Sequence, residues 1–185
     1  NGTSITPATH QGCNRPSTSF HLLTINATVV QTPLYLSDPG QILDRIDPVA
    51  TGLATTVQTG DISTGGTASV TFTQNPALCS DLTIKAQTIS ILTYVSIKSG
   101  TMPANPAITA TLKYGATNII VLSNPIYNSG TKVLTWTGTL GADVVVPSGQ
   151  SLDLQFTTAE AGVVFKIEYH SASKPSRISL LPVST

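Results

Sequence analysis

Residues 88–98 read Thr-Ile-Ser-Ile-Leu-Thr-Tyr-Val-Ser-Ile-Lys, and this stretch decides the fold. In an extended chain Ile89, Ile91, Thr93, Val95 and Ile97 share one face, and Ser90, Leu92, Tyr94, Ser96 and Lys98 share the other. Successive strand side chains point to opposite faces, so alternation over this length predicts a half-buried β-strand. The period recurs on both sides. Ile108, Ala110 and Leu112 alternate with Thr109, Thr111 and Lys113. Leu152, Leu154 and Phe156 alternate with Asp153 and Gln155. Val163, Phe165, Ile167 and Tyr169 alternate with Val164, Lys166 and Glu168. Further strands are expected at residues 20–30, 68–73, 117–122, 133–137 and 177–181.

Turn chemistry separates these runs. Asp38-Pro39-Gly40, Thr64-Gly65-Gly66, Lys98-Ser99-Gly100, Asn128-Ser129-Gly130 and Pro147-Ser148-Gly149 each supply a glycine for positive φ, a proline to preset a turn, or both. The only helix candidate is residues 39–47, with Gln41, Ile42, Leu43 and Ile46, a turn or two long. Many short strands with this punctuation predict an all-β fold. The expectation is a jelly-roll-like β-sandwich of about ten strands over residues 19–185, preceded by an N-terminal arm over residues 1–18. The arm carries Pro7, Gly12 and Pro16 and little periodicity.

Composition narrows the function. Of 185 residues, charged ones make up 10%, with nine cations and nine anions, against about 25% in an ordinary soluble domain. A neutral chain with so few cations lacks the footprint for nucleic acid, whose binding rests on phosphate neutralisation. It also lacks a basic cluster for an anionic membrane. It is not a charged disordered tail. No apolar run is long enough for a transmembrane helix, and no basic and apolar leader opens the chain, so any secretion signal is expected to have been removed. Thr and Ser occupy positions where cytosolic proteins use Lys and Glu, which suits an extracellular β-protein. Cys13 and Cys79 are then expected to pair. Their bridge would close a loop of about 65 residues and contribute about 4 kcal/mol. The other reading is two buried thiols.

Residues 67–180 resemble a β-rich domain of large secreted surface proteins of Bacteroidetes, among them gliding adhesins and other cargo of the type IX secretion system. The matching residues are Ser99-Gly-Thr-Met-Pro-Ala-Asn-Pro-Ala107, Ile108-Thr-Ala-Thr-Leu-Lys-Tyr-Gly115 and Leu122-Ser-Asn-Pro-Ile-Tyr-Asn-Ser-Gly130. They continue with Leu134-Thr-Trp-Thr-Gly-Thr-Leu-Gly141, Val146-Pro-Ser-Gly-Gln150 and Ser173-Lys-Pro-Ser-Arg-Ile178. The resemblance implies export, a surface location and an adhesive or structural role. It implies no catalytic set. Those domains sit inside very long chains, so this chain is expected to be an excised module or a small self-assembling subunit.

Catalytic signatures are absent from the sequence. His10, His21 and His170 form no pair at ligand spacing, and neither a G-x-S-x-G elbow nor a phosphate-binding loop occurs. Asp44 with Asp47 reads as a solvated turn. Asp143 and Asp153 flank a loop and are the candidates for a calcium site, the one cofactor considered. Sugar binding needs exposed rings for stacking, and the candidate platforms are Trp136, Tyr127, Tyr114 and Tyr35. Trp136 reads first as a core residue. Asn1-Gly-Thr and Asn26-Ala-Thr match a glycosylation pattern that is usually chance in a bacterial protein. The segment from Arg177 onward reads as a strand with a proline break, able to close its own sheet or a neighbour's edge.

The sequence thus predicts a non-enzymatic extracellular structural or adhesive protein. Its partners would be copies of itself, met through terminal arms or strand edges. A carbohydrate-binding module that docks on surface polysaccharide is the alternative.

Overall fold

The computed structural model describes residues 32–180 and, as backbone, 182–184. The arm over residues 1–18, the strand expected at 20–30, Cys13, His10, His21, Asn1 and Asn26 lie outside the described residues. In chain order the strands are β1 (Thr32–Ser37), β2 (Ile42–Asp44), β3 (Val57–Gln58), β4 (Ser69–Gln74) and β5 (Leu82–Ile84). Next come β6 (Gln87–Ser99), β7 (Ile108–Tyr114), β8 (Thr117–Ser123), β9 (Ile126–Asn128) and β10 (Val133–Leu140). The last are β11 (Val144–Val146), β12 (Leu152–Thr158), β13 (Val164–Tyr169), β14 (Arg177–Leu180) and β15 (Pro182–Ser184). One helical turn, α1 (Pro48–Thr51), follows β2.

The alternation at residues 88–98 becomes β6, the spine of the molecule. Ile89, Ile91, Thr93 and Val95 are buried, while Ser90, Leu92, Tyr94 and Ser96 are half-exposed. Register places three strands on β6. Tyr94 lies opposite Glu168 of β13 and Val133 of β10, and Leu92 opposite Arg177 of β14 and Thr135 of β10. Thus β13 and β14 follow one another along one flank of β6, and β10 takes the other. Ser176 closes the gap between β13 and β14. Its hydroxyl donates to the Glu168 carbonyl at 2.7 Å and accepts the Tyr94 N–H at 2.9 Å.

Hydrogen-bonded neighbours run in the order β3-β13-β6-β14-β1-β2-β4-β12-β7-β8, with β10 added to β6 and β9 to β10. This long sheet folds back on itself as a β-sandwich. Aromatic rings bridge its layers. Trp136 of β10 lies 5.4 Å from Phe156 of β12, and Phe72 of β4 lies 5.0 Å from Tyr169 of β13, edge to face. A smaller sheet, β11-β5-β15, sits beside it. The segment after Arg177 therefore returns to its own chain: residues 182–184 pair with Leu82–Ile84.

Two expectations change. Fifteen strands are present among the described residues, not about ten. The additional ones are mostly two or three residues long, too short to display a period. Residues 39–47 are not a helix. Ile42 and Leu43 gain β1 on one side and β4 on the other, so two ladders outweigh a short helical run. The helical turn starts later because the Asp47 carboxylate accepts the Val49 N–H at 2.8 Å, and Pro48 suits the first turn.

Candidate functional site

The segment after β3 runs along β13 and builds the site. Thr59 and Ile62 are buried, and Asp61 between them points outward. Backbone bonds fix the segment along β13: Thr59 N–H donates to the Ile167 carbonyl at 3.0 Å, and Ile62 exchanges two bonds with Phe165 at 2.8 and 3.1 Å. Opposite, Val164 pairs with Ser99 and Phe165 with Ile97, so Lys98 is the extra residue of a β-bulge. A bulge re-aims its side chain. Here the Lys98 ammonium bonds directly to the Asp61 carboxylate, and the Lys166 ammonium stands 3.7 Å from it.

A cavity of about 590 Å³ opens beside this cluster, lined by Asp61, Ser63, Gly66, Thr67, Lys98 and Ser99, with Val164. A second, of about 350 Å³, shares Asp61 and Thr67 and carries Gln41, Ser69 and Thr71. The Ser63–Thr67 turn that walls both is closed by Ser63 N–H donating to the Thr67 carbonyl at 3.0 Å. Hydrogen bonding from Lys98, with the charge of Lys98 and Lys166 behind it, holds the Asp61 carboxyl below its ordinary range.

The sequence-predicted residues fall elsewhere. Trp136, Tyr127 and Tyr35 are buried, Trp136 at 2% exposure. They offer no stacking face, because their strands turn these positions into the core. The Tyr35 phenol is pushed up by burial and by the Asp47 carboxylate. Tyr114 is half-buried and packs on the core. Asp143 and Asp153 have separate partners. Asp143 takes Lys85 Nζ and the Ala86 N–H, both at 2.8 Å, and Asp153 accepts from the Thr73 hydroxyl at 2.7 Å. Among the described residues no three His, Cys, Asp or Glu side chains gather at one point. Asp44 accepts the Arg45 N–H and Asp47 caps α1, as a solvated turn requires. Cys79 is not free, and its expected partner Cys13 lies outside the described residues.

His170 meets Ser37, with Nδ1 2.8 Å from the hydroxyl oxygen. The same nitrogen accepts the Asp38 N–H at 3.1 Å, and Ser37 is buried. The contact pins the end of β1 and the β1–β2 turn to the end of β13.

Asp61, Lys98, Lys166 and Thr67 were not singled out from the sequence. No period marks Asp61, because the buried residues beside it, Thr59 and Ile62, are three apart, and the bulge that aims Lys98 leaves no signal either.

Acid should weaken the exposed ion pairs. Asp143, like Asp61, is held below its ordinary range, first by Lys85 and then by the Ala86 N–H. A carboxyl with a lowered folded-state pKa adds stability above its unfolded value of about 4 and loses it as pH falls through the folded one. The melting temperature should be level from neutral to about pH 5 and fall below about pH 4. Asp61→Asn with Asp143→Asn should flatten that fall, and an identical acid slope in the double variant would contradict it.

No family model matches the chain, and no curated protein matches it closely in sequence. Solved structures match it in fold. Two structures of a CocE/NonD family hydrolase from Staphylococcus aureus superpose with TM-scores of 0.58 and 0.55 at 10% identity. They cover 83% and 84% of this chain and 36% of theirs. An α-amino acid ester hydrolase superposes with a TM-score of 0.55 at 15% identity, over 83% of this chain and 36% of its own. The chain thus spans little more than a third of these proteins, and at such identity the likeness is one of fold: a β-sandwich that also occurs as part of longer hydrolase chains.

Proposed function

We propose that the chain is a non-enzymatic structural or adhesive module of an extracellular surface protein, and that it associates with copies of itself through strand edges. The observation that carries this reading is β8. It reads Thr-Asn-Ile-Ile-Val-Leu-Ser, without charge or proline, and its one hydrogen-bonded neighbour among the described residues is β7. Val121 on it is 50% exposed, and Ile126 just beyond it is 67% exposed. Edge strands are normally blunted by lysine, proline or a bulge because their unpaired N–H and C=O groups recruit other strands. The bulge in the β7–β8 ladder falls on β8 itself, with Ile119 the extra residue between the Leu112–Ile120 and Lys113–Asn118 pairs, and Ile120 to Ser123 keep a regular register. Zero net charge removes the repulsion that keeps copies apart. The C-terminal strand lies on its own β5, which favours edges over terminal arms as the joint. Thr- and Ser-rich strand faces and the resemblance over residues 67–180 support export.

The likeness to hydrolase chains favours a second reading, an accessory β-domain of a larger exported hydrolase. That domain would be monomeric alone. Size-exclusion chromatography separates the two. Wild type is expected to run as higher-order species at high concentration, at low and high salt alike, and Val121→Lys with Ile126→Lys to run as a monomer. A wild-type monomer at all concentrations would favour the accessory reading. Assembly unchanged in the double variant would remove β8 as the joint.

A further inference from the structure

We propose that His170 is a pH-sensitive latch, which holds the β1–β2 turn in its present form only while the imidazole is neutral. It is the one histidine among the described residues, is half-buried, and follows β13 at φ +66°. Its Nδ1 faces two groups, the Ser37 hydroxyl at 2.8 Å and the Asp38 N–H at 3.1 Å. A backbone N–H only donates, so Nδ1 must present its lone pair and the ring proton must sit on Nε2. An imidazolium carries a hydrogen on both nitrogens. The Ser37 hydroxyl can rotate to accept the new one. The Asp38 N–H cannot, and two donors then face each other. Imidazole is the side chain whose ordinary charge change falls between pH 5 and 8, so the conflict arises in mild acid. The latch lies on β1 and β13, away from β8, and stands or falls separately from the assembly reading.

The turn itself offers the charged ring another partner. The Asp38 carboxylate accepts the Gly40 N–H at 3.1 Å and so closes the turn. Its charge reaches the end of β13: burial, and then Asp38, push the Tyr169 phenol up, so that phenol stays neutral while an imidazole titrates. The other charges nearby are engaged. Lys174 pairs with Glu168 at 2.9 Å, and the Arg177 guanidinium bonds the Pro175 carbonyl. Asp44 and Asp47 hold the N–H groups of Arg45 and Val49. Residues 53–58, which bond to Ser171 and Ala172, carry no charge, and neither does β4, whose Phe72 packs on Tyr169. Protonation therefore exchanges one partner for another. The ring releases the Asp38 N–H and draws the Asp38 carboxylate off the Gly40 N–H. Such an exchange remakes the turn and leaves the rest of the fold in place. Gln41 on the same turn accepts the Thr73 N–H of β4 at 3.0 Å and lines the smaller cavity, so the latch also sets one wall of that cavity.

Ring and amide NMR of the full chain test this together. Above the imidazole's titration, the ring nitrogen shifts should report the Nε2–H tautomer. As the ring titrates, the exchange protection of the Asp38 and Gly40 amides, corrected for intrinsic rate, should fall about tenfold, the order expected for one lost hydrogen bond. Amides of β6 and the melting temperature should hold over the same range. His170→Asn is the comparison that does not titrate. Asn tolerates the left-handed backbone, and its side-chain carbonyl can accept the Asp38 N–H, so protection there should stay level. The proposal is overturned by a neutral ring protonated on Nδ1, by Asp38 protection that does not change as the ring titrates, or by the same fall in His170→Asn.

Discussion

Trp136→Ala is expected to lower the unfolding free energy by roughly 3–5 kcal/mol, the range for truncating a large buried aromatic. Trp136 projects from β10 into the space between layers, where it touches the Phe156 ring and is almost wholly buried. Its indole Nε1–H donates to the Ile108 carbonyl at the start of β7, 3.2 Å away. The side chain therefore fills the core and ties a strand of one layer to the backbone of the other. Trp136→Phe separates these roles. It keeps a ring but leaves the Ile108 carbonyl without that donor, and should cost less than the alanine change. Denaturant melts of both variants decide. A loss below about 1 kcal/mol for Trp136→Ala, the cost of an ordinary substitution, would mean that the ring is not in the core.

Gly100→Ala is the second large effect, and it acts through the backbone. Gly100 follows β6 with φ +81°, in the region that suits glycine, and an added Cβ would stand 2.1 Å from the Gly162 carbonyl oxygen and 3.1 Å from Val163 Cα. Both neighbours are main chain and cannot swing aside. Strain of this kind and forced overpacking each cost about 1–3 kcal/mol, so roughly 2–6 kcal/mol is expected together. Gly149→Ala is the control. Its φ is also positive, at +82°, but its Cβ would meet nothing within 4 Å, so it should lose only the conformational part, about 1 kcal/mol. Equal melting temperatures for the two variants would contradict the close approach of residues 100 and 162.

These positions show what was legible in the sequence. The period of two in residues 88–98 marked β6 and its buried face almost residue by residue, because one side of that strand meets the core and the other does not. The inward reading of Trp136 followed from its strand. The short strands escaped notice, since three residues such as Ile126–Asn128 carry no measurable period. Residues 39–47 misled because Ile42 and Leu43 are stabilised by partners distant in sequence. The aromatic platform failed for a related reason: a ring at a strand end is exposed only if nothing folds over it, and Tyr35 and Tyr127 are both covered. The Asp61 groove depends on a bulge that arises from the register between β6 and β13, a property of two strands that neither one displays alone.

The central claim is that the outer edge of β8 is the surface through which copies of this chain meet. Backbone hydrogen exchange measured across a concentration series tests it at the atoms concerned. Pairing would give the outward N–H groups of residues 117–123 a carbonyl partner, so their exchange should slow as concentration rises, while the exposed turn at residues 159–162 stays unchanged. Exchange in β8 that is independent of concentration, in a chain that remains folded, would contradict the account.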